Sequence, residues 1–425
     1  MSNSDFDVVI IGAGFGGLAV TAALKRYGVN NVCLLEGGQS YGNFWITNYD
    51  RISLHTAWHC LPDDGGDNDN YPMFKTRDQL LAYFRNYAAR HRLQEFTRFD
   101  TMVSNISRDA PRSEYPWSVI SNKGDFEARY VVVASGYCRR PVTPAIENQA
   151  AYKGDLRHSK AYRNARPYVG KRVLVVGTGN SGAEISTQLV EAGSSSVAML
   201  GFGPRWYVPI AAFSELLLQA REMGGAGPAG VINLHPFTPG TQAFDDQLLA
   251  FDEMLTPLAE DLSEFGLDRP KDGAFTEFNR THRVPVIDHG AAPLIRSGDI
   301  EVIKDRLEAF TTNGVRLVAN GERDFDAVIL ATGFESGLEE FVPAELTEVV
   351  PSHGNLFPKT DRRCRSTVHD DLYFIGFDQA LMSGSALGVW GFEVAEKIAT
   401  DMRTFSAEMR PEEFARAPWK FGDEV

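Results

Sequence analysis

The chain has 425 residues, 43% hydrophobic and 23% charged, a globular composition too long for one ordinary core and suited to two or three domains. Its 42 basic against 56 acidic side chains give a formal charge of −14, which argues against nucleic acid and anionic membrane as main partners. Cys33, Cys60, Cys138 and Cys364 form no Cys-x-x-Cys pair; a dithiol redox centre and a zinc ribbon are excluded, no metal site is expected, and unpaired thiols suit the cytoplasm.

The apolar run Phe6–Ile11 predicts a fully buried parallel strand, Gly12-Ala13-Gly14-Phe15-Gly16-Gly17 follows it directly, and Leu18–Tyr27 predicts a helix. The acidic flank before Phe6 and the glycines in the run rule out a signal peptide. No other run approaches the roughly 18–20 apolar residues of a membrane span. Val32–Leu35 is the next strand and ends in Glu36, placed to accept hydrogen bonds from an adenosine ribose. Residues 37–75 read as one long irregular loop with aromatics at Tyr41, Phe44, Trp45, Tyr49 and Trp58, and a loop of that length in a compact domain is usually functional. Thr76–His91 predicts a helix with Leu80, Leu81, Phe84 and Ala88 on one face and Thr76 as its cap. Strands follow near 101–107, 116–121 and 125–134. Arg139-Arg140 and Arg362-Arg363 are short basic pairs, read as solvated surface or a local phosphate contact.

A second unit opens at Lys171, with the strand Arg172–Val176 running into Gly177-Thr178-Gly179-Asn180-Ser181-Gly182. In each fingerprint the first glycine makes the tight turn, the second lets backbone approach a pyrophosphate, and the third lets helix pack on strand. The helix N-terminus then turns free N–H groups toward the phosphates. Two such sites in one polypeptide predict two dinucleotides exchanging electrons, a flavin and a nicotinamide. Val197–Leu200 ends without an acidic residue and runs on to Arg205, a pattern that favours a ribose 2′-phosphate, hence NADPH, with Arg205 as candidate clamp. Residues 204–285 depart from the unit. They carry a Gly/Pro/Ala loop at Gly224–Gly230 and an apolar helical stripe, Phe244, Leu248, Phe251, Leu255, Leu258 and Leu262, interrupted at Pro257. The stripe predicts core packing, and the segment as a whole predicts a wall of the substrate pocket. Ile300–Ile303, Val315–Ala319 and Ala327–Ala331 read as strands, the last leading into Ala331-Thr332-Gly333-Phe334.

Between the two units, Tyr152-x-Gly154-x-x-x-His158-x-x-x-Tyr162 resembles the identifying motif of class B flavin-dependent monooxygenases, with Tyr in place of the usual Phe. Tyr at 162, rather than Trp, resembles the N- and S-oxygenating group more than the Baeyer–Villiger enzymes. Further stretches are similar to the YUCCA-type branch, the indole-3-pyruvate monooxygenases: Tyr49–His55, Tyr71-Pro72, the second fingerprint, Gly266–Lys271, Pro285–Asp288 through Ile295–Gly298, and Ala331–Phe334. The similarity runs from Asp7 to about Asp401, and the 266–298 stretch is its most specific part.

The resemblance implies an α/β fold of two Rossmann-like domains, an FAD domain (1–165 and 334–425) with an inserted NADPH domain (166–333). It implies hydride transfer to the flavin, addition of dioxygen at the flavin C4a, and transfer of one oxygen atom to a small organic substrate. In the YUCCA-like case that substrate is a 2-oxo acid, which then loses carbon dioxide. The residues implied are Gly12, Gly14, Gly16, Gly17, Glu36, Phe44, Trp45 and Leu54 around FAD, and Gly177, Gly179, Asn180, Ser181, Gly182 and Arg205 around NADPH. His55 falls where heteroatom-oxygenating relatives place an Asn beside the reactive flavin edge, and it is the candidate catalytic residue; a packing histidine in a loop is the competing reading. The rival functions are N- or S-oxygenation and a flavin-dependent reductase or oxidase without oxygen transfer.

Overall fold

The computed structural model describes residues 4–57, 74–108, 114–222, 242–281, 283–352, 355–361, 363–377 and 384–402. The first sheet has seven strands. Ser4–Ile11 lies at its centre, parallel to Val32–Leu35 on one side and to Gly124–Val133 on the other, with Val8 opposite both Val32 and Tyr130. Val8, Val9 and Ile10 are wholly buried, as expected of a strand covered on both faces. Thr97–Arg98 extends the sheet beyond Val32–Leu35. Gly124–Val133 divides its far side between two partners. Residues 124–128 pair antiparallel with Trp117–Ser121, which continues to Val103–Arg108, while Val131–Val133 pair in parallel with Leu372–Phe374.

That last pairing brings the C-terminal part of the chain back to the first sheet. The closing helix, Gly384–Asp401, then packs on the first helix, Phe15–Arg26. The approach is close at one point: a Cβ on Gly391 would stand 2.7 Å from the Ala19 Cβ and 3.0 Å from its carbonyl carbon. Val394, Ala395, Ile398 and Ala399 complete the seam and are fully buried.

The second sheet is all parallel, in the order Asp155–His158, Ala327–Leu330, Arg172–Val176, Ser196–Gly201, Ile300–Lys304. Its edge strand, Asp155–His158, carries the histidine of the linking motif, although the sequence division groups residue 158 with the first unit. A two-stranded parallel sheet, Tyr207–Pro209 with Val286–Asp288, opens and closes the departing segment. Within it Leu248, Phe251, Leu255 and Leu262 are buried, and the helix Gln242–Leu255 stops just before Pro257, whose ring cannot continue it. The side chain of Phe244, the loop 224–230 and Trp58, Cys60 and Tyr71-Pro72 lie outside the described residues.

Two sequence expectations change. The stretch 37–75 is not one irregular loop: Asn43–Ile46 forms a helical turn, and Ser53–Ala57 pairs antiparallel with Phe74–Thr76. The turn is too short, and the pairing too irregular, to leave a periodic signal. Arg139 and Arg140 are not a phosphate contact. Arg140 Nε binds Glu335 at 2.7 Å, Arg139 binds Glu340 at 2.6 Å, and Glu339 also pairs with Arg140, so this charge is neutralised internally. The Thr76 cap is present as a full capping box with Gln79.

The Gly391–Ala19 contact yields a prediction. Gly391→Val is expected to lower the unfolding free energy by about 1–3 kcal/mol through overpacking, seen as a lower thermal midpoint. An unchanged midpoint would mean that the closing helix is not seated on the first.

Candidate active site

The two fingerprints fold into the same object. Gly12 and Gly177 take φ of +105° and +126°, and a Cβ would strike the carbonyl oxygens of Ala134 (2.6 Å) and Ala331 (2.3 Å) respectively. Gly17 and Gly182 bring each helix onto its own turn: their Cβ atoms would stand 1.9 Å from the Gly12 oxygen and 2.1 Å from the Gly177 oxygen. Gly14 and Gly179 differ, having nothing within 4 Å of a Cβ. They are the N-caps of the two helices, and neither receives a side-chain cap. Each site is therefore an open cradle of backbone N–H groups at a helix N-terminus, the shape and polarity that a pyrophosphate fits. Gly16 packs the first helix against Ile375, where a Cβ would come within 2.9 Å.

Glu36 stands at the first cradle. Its Oε2 accepts from Ala13 N (2.9 Å) and its Oε1 from Gly38 N (2.7 Å), leaving a further lone pair on each oxygen for a sugar hydroxyl. Burial raises its pKa, and the two backbone donors oppose that rise. Behind it, Phe44 meets Trp45 and Phe334 edge-on at 5.4 and 6.2 Å, and the Lys160 ammonium stands 4.6 Å over the Phe44 ring. Trp45 and Leu54 are half-buried against the first core.

His158 joins the linking motif to the Ala331–Phe334 turn. Lys160 N donates to its Nδ1 at 3.0 Å, so the ring proton sits on Nε2 and is donated to Gly333 O, also at 3.0 Å. Burial lowers its pKa, which keeps this neutral tautomer in place. The role is positional.

At the second cradle both ends of the Asn180 amide are engaged: Nδ2 donates to Pro285 O (3.1 Å) and Oδ1 accepts from Ile287 N (2.9 Å), tying the helix start to the 286–288 strand. Arg205 is half-buried, and its Nε has no hydrogen-bond partner. Its pKa is lowered, first by burial and then by the adjacent Arg283. Among the described residues neither guanidinium has an ion-pair partner. Two neighbouring guanidiniums, with the Glu277 carboxylate acting on Arg205 from nearby, make this a locally cationic spot. Sequence reading singled out Arg205 and not Arg283, because the 77 residues between them hide the juxtaposition.

The least expected cluster lies where the two units meet. His55 Nε2 is 2.9 Å from Glu184 Oε1 and 3.0 Å from His289 Nε2. Glu184 is buried on the helix Asn180–Glu191, and its Oε2 accepts from Tyr49 OH at 2.7 Å. Ser181 also hydrogen-bonds Tyr49. The Tyr49–His55 stretch, attached to the first cradle, is thereby bonded to the helix that begins at the second. Arg51 reinforces the join by pairing with Glu191 at the end of that helix, while Asp50 ties the stretch within the first unit through Arg77 and Arg163, each at 2.7 Å.

Comparison with known proteins fits this arrangement. A family model for pyridine nucleotide-disulphide oxidoreductases matches residues 9–209. The chain is 31% identical to the indole-3-pyruvate monooxygenase YUCCA8 of Oryza sativa over 87% of this chain and 85% of the relative. It is 28% identical to the probable indole-3-pyruvate monooxygenase YUCCA10 of Arabidopsis thaliana over 95% and 98%. The chain belongs to the YUCCA-type family of flavin-dependent monooxygenases. Solved structures agree in fold: a flavin-containing monooxygenase from Stenotrophomonas maltophilia superposes with a TM-score of 0.66 at 18% identity, covering 94% of this chain and 99% of that one. A steroid monooxygenase bound to NADP gives 0.68 at 18%, covering 94% and 85%.

As a YUCCA-type protein the chain is an FAD- and NADPH-dependent oxidoreductase, as the paired fingerprints led us to expect. The disulphide-reductase label of the family model extends to the shared dinucleotide fold and not to a dithiol, since the sequence has no Cys-x-x-Cys. No helix among the described residues is long and apolar enough to cross a membrane.

The glycine geometry separates fold from binding. Gly182→Ala is expected to destabilise by at least about 2 kcal/mol, because its Cβ meets backbone that cannot yield. Gly179→Ala is expected to leave the thermal midpoint nearly unchanged yet weaken NADP⁺ binding about tenfold or more, as a side chain enters the cradle. Calorimetric titration and thermal unfolding of both variants check this; equal effects on both readouts would contradict it.

Proposed function

We propose that the protein oxygenates a 2-oxo acid with an aromatic side chain, of the indole-3-pyruvate class, and releases carbon dioxide. The observation that carries the proposal is the pair of open cradles joined by the Tyr49–Glu184–His55 bonds, together with the indole-3-pyruvate activity named for relatives that align over most of the chain. The overall balance is 2-oxo acid, O₂, NADPH and a proton giving the shortened carboxylic acid, CO₂, water and NADP⁺. When bound, the flavin supplies hydride acceptance from NADPH and activation of dioxygen.

The remaining work falls to this chain. The N–H groups at Gly14–Gly17 hold the FAD pyrophosphate, Glu36 holds its ribose, and Phe44, Trp45 and Leu54 support the ring system. Gly177, Gly179, Ser181 and Gly182 form the NADPH cradle, Asn180 fixes the start of its helix, and Arg205 with Arg283 takes the 2′-phosphate. His55 is the residue we place in catalysis. Glu184 sets its ring at the junction of the cradles, where a proton held at Nε2 is available as water is released. We divide the chain into an FAD-binding unit, 1–165 with 334–425, and an NADPH-binding unit, 166–333, with Asp155–His158 as the strand that crosses between them. A cytoplasmic location is our reading, supported by Cys33, Cys138 and Cys364, which form no disulfide among the described residues.

Steady-state turnover tests the proposal. With indole-3-pyruvate, NADPH, O₂ and CO₂ are expected to change in a 1:1:1 ratio with formation of the one-carbon-shorter acid, and amines or thioethers are expected to give no oxygenated product. Oxygenation of those heteroatom compounds without attack on 2-oxo acids would overturn it.

A further inference from the structure

The ring nitrogens at the junction are over-subscribed. An imidazole nitrogen offers one in-plane site, a proton or a lone pair. Yet His55 Nε2 faces both Glu184 Oε1 at 2.9 Å and His289 Nε2 at 3.0 Å, and His289 Nε2 also faces Ser53 Oγ at 3.2 Å. If His55 donates to Glu184, it has nothing to share with His289. If it donates to His289, the buried carboxylate oxygen loses its donor. No placement of protons forms both bonds fully.

A cation at the centre serves all three atoms at once. Glu184 Oε1 lies 3.9 Å from His289 Nε2, so the three edges of the triangle are 2.9, 3.0 and 3.9 Å. Ligands about 2.0–2.1 Å from a tetrahedral zinc stand roughly 3.3 Å apart, within the range of these edges. Two imidazoles and one carboxylate are a borderline donor set that zinc accepts, and Ser53 Oγ or a water completes four-coordination. The surroundings hold the ligands in place. Tyr49 occupies Glu184 Oε2, which leaves Oε1 as the single ligating oxygen, and the neighbouring Asp288 carboxylate accepts from Gly290, Ala291 and Ala292 N, which fixes the backbone beside His289. The positions 55, 184 and 289 share no local spacing, which is why the sequence predicted no metal.

We propose that His55, Glu184 and His289 form a zinc-binding site that staples the flavin-side strand Ser53–Ala57 to the helix of the second cradle, and that zinc there inhibits turnover by occupying His55 Nε2. The binding half stands on the triangle alone; the inhibitory half rests on the role given above to His55.

The test uses chelator-treated protein with its flavin retained, titrated with Co²⁺ as a spectroscopic probe and with Zn²⁺ by calorimetry. One Zn²⁺ per chain is expected, with intense four-coordinate ligand-field bands for Co²⁺. Tyr49→Phe is expected to weaken binding about 10–100-fold. His289→Ala, and His289→Asn as a second variant in case the first folds poorly, are expected to abolish the site, retain basal turnover without metal and resist zinc inhibition. Equal zinc affinity in His289→Ala and the unaltered protein, or weak six-coordinate cobalt bands, would overturn the site whatever the substrate proves to be. Stoichiometric zinc binding with unchanged turnover would overturn the inhibitory claim.

Discussion

Both nucleotide sites depend on backbone packed against backbone. At Gly17 and Gly182 the helix lies so close to its turn that one added carbon would overlap a carbonyl oxygen. That closeness aims the first N–H groups of each helix at one point beyond the strand ends, and it leaves Gly14 and Gly179 bordering open space. The rest of the molecule holds these turns in place. Parallel strands buried on both faces fix where each turn begins, and the seam between the first and last helices braces the first turn from behind.

Two cradles alone would make two separate binding proteins. Shared polar bonds put them in one machine. Tyr49, Glu184 and His55 connect a segment of the first unit to the helix of the second through a buried carboxylate, and a buried carboxylate left without donors is costly. These bonds are therefore retained only in the relative placement seen here. His158 does similar work on the other side of the junction, with each ring nitrogen assigned to a backbone partner.

Much of this was legible in the sequence, and the reasons are local. A glycine fingerprint, its preceding apolar strand and Glu36 lie within one continuous segment, so their geometry follows from short-range sterics. The Thr76–Gln79 capping box is likewise a matter of four consecutive residues. The break at Pro257 needed only the ring's inability to continue a helix. What stayed hidden required distant segments to meet. Arg283 reaches Arg205 only once the 286–288 strand pairs with 207–209. His289 reaches His55 only once the helix Asn180–Glu191 lies against the Tyr49–His55 stretch. The turn at Asn43–Ile46 escaped because a single turn has no period to detect.

The account stands on electrons passing within one molecule from a nucleotide in the second cradle to a flavin in the first. The most direct measurement is anaerobic rapid mixing of the flavin-loaded protein with NADPH carrying deuterium at the transferred position. The account predicts bleaching of the flavin at a rate slowed several-fold by deuterium and independent of protein concentration. Bleaching that accelerates in proportion to protein concentration, or that fails to occur, would contradict it.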